Sequence, residues 1–163
     1  GHTAPIKALA FSTDGRWLAS ASEDRSILLW DLGAANPSSD PIKLLSHTAP
    51  VGALSFSPDG NWLASGGDDG TARLWDLTSP NPAGNPRNLP GRKKITDLAF
   101  SQDGQRLYTA HVDGIVRIWP LATDELIHLA CLAAGRNLSE GEWQQFLPGK
   151  PYPLICPQWP DGR

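Results

Sequence analysis

The sequence predicts an all-β fold: three antiparallel four-stranded sheets in tandem, followed by a small C-terminal helical hairpin. Three observations predict it. A unit of about 45 residues recurs three times. Hydrophobicity inside each unit alternates with a period of two instead of 3.6. An Asp-Gly pair punctuates every unit at the same place. A composition of 16 Gly, 15 Pro and 7 Trp suits many short strands joined by turns.

His2 to Leu32 and His47 to Leu77 are identical at 19 of 31 positions without a gap, at a spacing of 45. A third copy, Ile95 to Leu121, follows at a spacing of 44, so that Phe11, Phe56 and Phe100 correspond, as do Trp30, Trp75 and Trp119. In the first copy Ile6, Ala8 and Ala10 alternate with Lys7, Leu9 and Phe11. Apolar residues on both faces predict a strand covered on both sides. Asp14-Gly15, Asp59-Gly60 and Asp103-Gly104 then mark hairpins, because Asp-Gly tolerates the positive φ of tight turns. A second strand is expected over Trp17–Ser22, Trp62–Gly67 and Arg106–His111. Another turn, at Asp24, Asp69 or Asp113, leads to a third strand ending in the recurring Trp. Proline-rich connections at 33–41 and 78–86 precede a fourth short strand at Ile42–Leu45 and a weaker one at 87–89. After Trp119-Pro120 no fourth strand is evident, which leaves exposed edges.

The bulk properties exclude several functions. A net charge of −3 gives no electrostatic footprint for nucleic acid or an anionic membrane. No apolar run approaches the ~20 residues of a membrane span. Cys131 and Cys156 are too few for a disulfide scaffold and read as free thiols, and no His stands at ligand spacing from either, so no metal is expected. With no Gly-rich phosphate loop, ATP and other cofactors are not expected either. The chain reads as cytoplasmic. It lacks Met and opens inside a repeat, which suggests a piece of a longer protein.

Four strands per unit of about 45 residues is the signature of a propeller blade. The chain resembles the WD-repeat family through Gly1-His2, Trp30-Asp31, Trp75-Asp76 and the Asp-Gly hairpins, with Ser46-His47 a near match. The resemblance covers about residues 1–121, as units of about 1–45, 46–90 and 91–121. It implies a partial, open propeller, since three blades fall short of the ~4–8 that close a ring. It also implies a non-catalytic scaffold that binds other proteins or the rest of its own parent chain. Oligomerisation to close the ring is the less direct alternative.

His2, Ser20 and Asp24, and again His47, Ser65 and Asp69, are the residue types of a hydrolase triad. The resemblance implies instead that each set joins Trp30 or Trp75 in a hydrogen-bonded tetrad. The physical motive is that a buried indole N–H or imidazole left unpaired costs ~1–3 kcal/mol. Recurrence favours this brace, because an enzyme needs one site, and no Gly-flanked nucleophile elbow is present. In the third copy Thr109, Asp113 and Trp119 keep register, but Gly91 or Arg92 stands where His belongs. That tetrad is read as incomplete and its blade as the least tightly held; His111, two residues before the turn Asp, is read as a partly exposed surface residue, with compensation for the missing imidazole as the alternative.

Candidate partner contacts are the loop and strand-entry positions that differ between copies: Lys7, Glu23, Arg25, Lys93, Lys94 and His111. The inner strands start with Lys7, Gly52 and Thr96, which is no catalytic set for a hydrolase in the channel. A glycan-binding alternative would use Trp17 and Trp62 on the rim. From 122 to 163 the period changes. Helices are expected over about 124–134, capped by Thr123, and 139–147, opened by the capping box Ser139-x-x-Glu142. The string Leu129-Ala-Cys, Ala134-Gly-Arg-Asn-Leu-Ser, Glu142-Trp and Pro151-Tyr to Cys156 resembles the ending of bacterial WD-repeat arrays. Such arrays stand behind the nucleotide switch of STAND-type signalling ATPases, which implies a sensing or autoinhibitory role.

Overall fold

Alternation and turn chemistry set the strands, and the strands fall where the repeats put them. The computed structural model describes residues 1–34 and 40–122. The expected helices at 124–134 and 139–147, and both cysteines, lie outside the described residues. Blade one comprises β1 (Ile6–Phe11), β2 (Trp17–Ser22), β3 (Ser26–Asp31) and β4 (Ile42–Leu45), paired in that order. Blade two comprises β5 (Val51–Phe56), β6 (Trp62–Gly67), β7 (Thr71–Asp76) and β8 (Arg87–Pro90). Blade three comprises β9 (Ile95–Phe100), β10 (Arg106–His111) and β11 (Val116–Pro120). Its sheet has three strands among the described residues, short of the four of the fold class and in line with the lack of an evident fourth strand after Pro120, with β11 at the edge.

The first hairpin of each blade is one device used three times. Ser12 Oγ donates to Asp14 Oδ1 at 2.5 Å and accepts from the Trp17 N–H at 2.8 Å. Gly15 takes φ +71. Ser57, Asp59 and Gly60 repeat it, as do Ser101, Asp103 and Gly104. These bonds hold Asp14, Asp59 and Asp103 below the usual carboxylate range, the serine hydroxyl contributing most.

Blades pack face to face, β1 against β5 and β5 against β9. On blade one the covered face carries Trp17, Ala19, Ala21, Ile27, Leu29 and Leu44; Val51, Phe56, Leu63 and Trp75 of blade two meet it. Small residues in β2 let the next blade's inner strand approach. The opposite face of blade one has no neighbour among the described residues. Ile6 and Phe11 there are 54% and 63% exposed, whereas Val51 and Phe56, their equivalents in blade two, are 0% and 8%.

Candidate functional site

Two constellations stand out: the polar network inside each blade, and a hollow at the strand-entry end between blades. In blade one, His2 Nδ1 lies 3.0 Å from Asp24 Oδ2, and an ionised carboxylate can only accept, so Nδ1 carries the proton. Nε2 then accepts from Ser20 Oγ at 2.9 Å, and Ser20 Oγ accepts the Trp30 indole N–H at 3.3 Å. Burial opposes ionisation of Asp24. Hydrogen bonds from Ser26, the Thr3 N–H and His2 outweigh it and hold the carboxyl well below the usual range.

Blade two has the same tetrad: His47 to Asp69 at 3.0 Å, His47 to Ser65 at 2.9 Å, Trp75 to Ser65 at 2.9 Å. It also contains a residue the sequence reading missed. Arg73, where blade one has Leu28, sends Nη1 to 2.6 Å from His47 Nδ1 and 2.9 Å from Asp69 Oδ2, while Nε donates to Ser46 Oγ at 3.0 Å. Nδ1 of His47 faces both groups and has one bonding position, so it donates to Asp69 as an N–H or accepts from Arg73 as a bare nitrogen, not both. Burial, with Arg73 adding repulsion, pushes His47 down to about 4 against the pull of Asp69. A recurring Arg four residues after the turn Asp, in blades two and three only, was the available signal.

Blade three corrects one expectation. Its tetrad does lack the loop imidazole and Asp113, but His111 is not a surface contact: it is 5% exposed. His111 Nδ1 donates to the Lys93 carbonyl at 2.9 Å, Nε2 accepts from Thr109 Oγ1 at 2.9 Å, and Thr109 accepts the Trp119 indole at 3.0 Å. The imidazole thus enters from β10 instead of the preceding loop, and a carbonyl replaces Asp113 as its anchor. Gly91 leaves the room: a Cβ there would lie 3.2 Å from His111 Cε1 and 2.3 Å from the Gly70 carbonyl. Thr109 and His111, two apart on one strand, share a face, which was the sequence clue.

None of these hydroxyls is placed as a nucleophile. Ser20, Ser65 and Thr109 are buried, each with an imidazole and an indole on its oxygen. Trp17 does not sit on the rim as the glycan alternative required; it belongs to the core, with the Arg16 guanidinium 4.9 Å from its ring centre. Trp62 is half-buried.

The hollow has a volume of ≈ 310 Å³ and is lined by Lys7, Glu23, Gly52, Asp68, Lys94 and Thr96, among others. Its geometry comes from a repeated irregularity. Pairing slips between Ile6 and Ala8, between Val51 and Ala53, and between Ala110 and His111, so Lys7, Gly52 and Thr96 are unpaired bulge residues. A bulge re-aims its side chain and is common beside binding sites. Lys7 pairs with Glu23 and Lys94 with Asp68, both at 2.9 Å and largely exposed. Of the candidate contacts, Lys7, Glu23 and Lys94 meet here. Arg25 lies in the next turn, held at φ +71, and exposed Lys93 supplies the carbonyl that anchors His111.

The profile of the family described as WD domain, G-beta repeat matches residues 1–31, 39–76 and 85–120. The target of rapamycin complex subunit wat1 of Schizosaccharomyces pombe is 50% identical over 34 residues, 21% of this chain. The match spans 11% of that protein's length.

Proposed function

Because the chain belongs to the WD domain, G-beta repeat family, a family of protein-interaction scaffolds, we propose that its strand-entry end is a docking platform for a partner protein. The observation that carries this is the hollow where three bulge residues, Lys7, Gly52 and Thr96, converge between blades. Residues freed from pairing on a stiff sheet are suited to recognition. Paired charges of both signs at the rim, Lys7–Glu23 and Lys94–Asp68, favour a partner loop that brings its own mixed charges. The yeast relative is a subunit of a complex, which accords with binding to other proteins.

Gly52 gives the test. Its φ needs no glycine and a Cβ there would meet nothing within 4 Å. Gly52→Trp should therefore fill the hollow without disturbing the core. The expected result is an unchanged melting temperature with at least a roughly tenfold loss in recovery of specific partners from the native cell. Equal recovery by both proteins would end this reading.

The finer proposal is that these blades belong to a larger propeller serving as the sensor or regulatory part of a cytoplasmic bacterial signalling ATPase. Its support is the likeness of the string from Leu129 to Cys156 to the ending of such arrays. The open faces of blades one and three also suit further blades. Sequencing the reading frame upstream checks it, and a frame with no nucleotide-binding switch would refute it.

A further inference from the structure

Blades two and three each hold an arginine at the same register, and only one of them is satisfied. Arg73 bonds Ser46, His47 and Asp69. In blade three the positions of Ser46 and His47 are taken by Pro90 and Gly91, neither of which has a side-chain acceptor. Arg117 retains Asp113 alone, with Nη2 3.7 Å from Oδ2. Its Nη1 is buried without any hydrogen-bond partner, the one such side-chain atom among the described residues. A desolvated guanidinium nitrogen with no acceptor is costly, and its persistence calls for an explanation.

The surroundings supply one. Arg117 is more open than Arg73, its side chain 29% exposed against 9%. It lies on the edge strand β11, two residues from Trp119, whose indole reaches Thr109. Through His111 that network ends on the Lys93 carbonyl, in the loop that carries Arg92 and Lys93. Both side chains are exposed, and neither has an ion pair among the described residues. Arg117 thus has one weakly engaged carboxylate, Asp113, as its partner among the described residues.

We propose that Arg117, on a blade whose incoming loop carries the exposed Arg92 and Lys93, is a receptor for the side-chain carboxylates of an acidic segment of a partner protein. The incoming carboxylate supplies the acceptor that Nη1 lacks, in a fork geometry that guanidinium favours. A small turn of the terminal torsion presents Nη1 to it. This deepens the scaffold reading but rests on Arg117, which does not line the hollow around Gly52, so either can fail alone.

The test uses the full chain and a fluorescein-labelled, C-terminally amidated oligoglutamate peptide, with oligoglutamine as control, followed by anisotropy at low salt. Binding of the glutamate peptide alone is expected. Arg117→Gln should weaken it roughly tenfold, and Arg117→Lys by an intermediate factor, because the charge survives without the fork. Asp113→Asn, which keeps its acceptor for the Ile115 N–H, should strengthen it about twofold by removing the internal competitor. Circular dichroism verifies that each variant is folded. Equal binding of both peptides, no binding of either, or affinity indifferent to every Arg117 variant would overturn the assignment.

Discussion

Blades two and three solve one problem with different parts, and the difference locates where the molecule is stiff. In both, a strand-end indole needs an acceptor, a hydroxyl supplies it, and an imidazole steadies the hydroxyl. Blade two draws its imidazole from the incoming loop, ties it to a carboxylate and wedges an arginine against it. Trp75 there is fully buried. Blade three draws its imidazole from its own β10 and ties it to a main-chain carbonyl, and Trp119 is half-buried. The imidazole's tie to the loop in blade three is therefore one hydrogen bond to the Lys93 carbonyl, where blade two has a charged cluster. A stiff second blade beside a more loosely tied third suits a scaffold whose free polar capacity, at Arg117, lies on the looser one.

The largest effect that would test this contrast comes from the indoles themselves. Trp75→Ala removes a fully buried side chain and should cost about 4 kcal/mol; Trp119→Ala, half-buried, should cost about half as much. Urea denaturation of both variants measures the difference. Equal costs would mean that blade three is held as firmly as blade two.

Next in size is a response to acid at His47 of blade two. His47 in the folded chain is held at about 4, below the ~6.5 of an unfolded chain. The folded state therefore binds fewer protons between those values. Its stability is full above pH 6.5 and falls as the pH drops towards 4, by up to about 3 kcal/mol. Arg73→Leu, copying Leu28 of blade one, removes part of what lowers His47 and should shrink that loss. Melting temperatures across pH 4 to 7 report it, and identical acid profiles would show that the guanidinium does not control the imidazole.

The corresponding break in blade three is about 2 kcal/mol for His111→Ala, which leaves Thr109 without its acceptor. Gly91→Ala should act alike, because its Cβ meets the Gly70 carbonyl and presses on the ring. If His111→Ala is neutral while Gly91→Ala is not, the ring is a bystander and only the backbone contact counts.

How much of this was legible in the sequence depends on whether the cause is local. Strand ends and hairpins were, since Ser-x-Asp-Gly completes its own bonds within five residues. The tetrads of blades one and two were legible through repetition and resemblance together. His111 was misplaced because its burial depends on Gly91, twenty residues away, being small enough to admit it. Arg73 was invisible for a related reason: an arginine on a strand reads as solvent-facing until Ser46, His47 and Asp69 are seen around it. The hollow arises from pairing slips, which alternation patterns do not encode.

The smallest effect concerns the turn before the third strand, where the blades differ by one residue type. Gly70 and Gly114 take φ +73 and +78 in blades two and three, whereas blade one places Arg25 there at +71. A side chain in that region is strained by about 1 kcal/mol relative to glycine, and glycine gives part of that back through its freer unfolded chain. Arg25→Gly should therefore stabilise the chain by about 0.5 kcal/mol, read as a small rise in melting temperature. Because the Arg25 N–H already closes the turn on the Ser22 carbonyl at 3.2 Å, the substitution keeps the hydrogen bond and isolates the backbone strain. A loss of stability instead would mean that the Arg25 side chain contributes more to blade one than its strained backbone costs, placing it among the bracing residues rather than on the recognition surface.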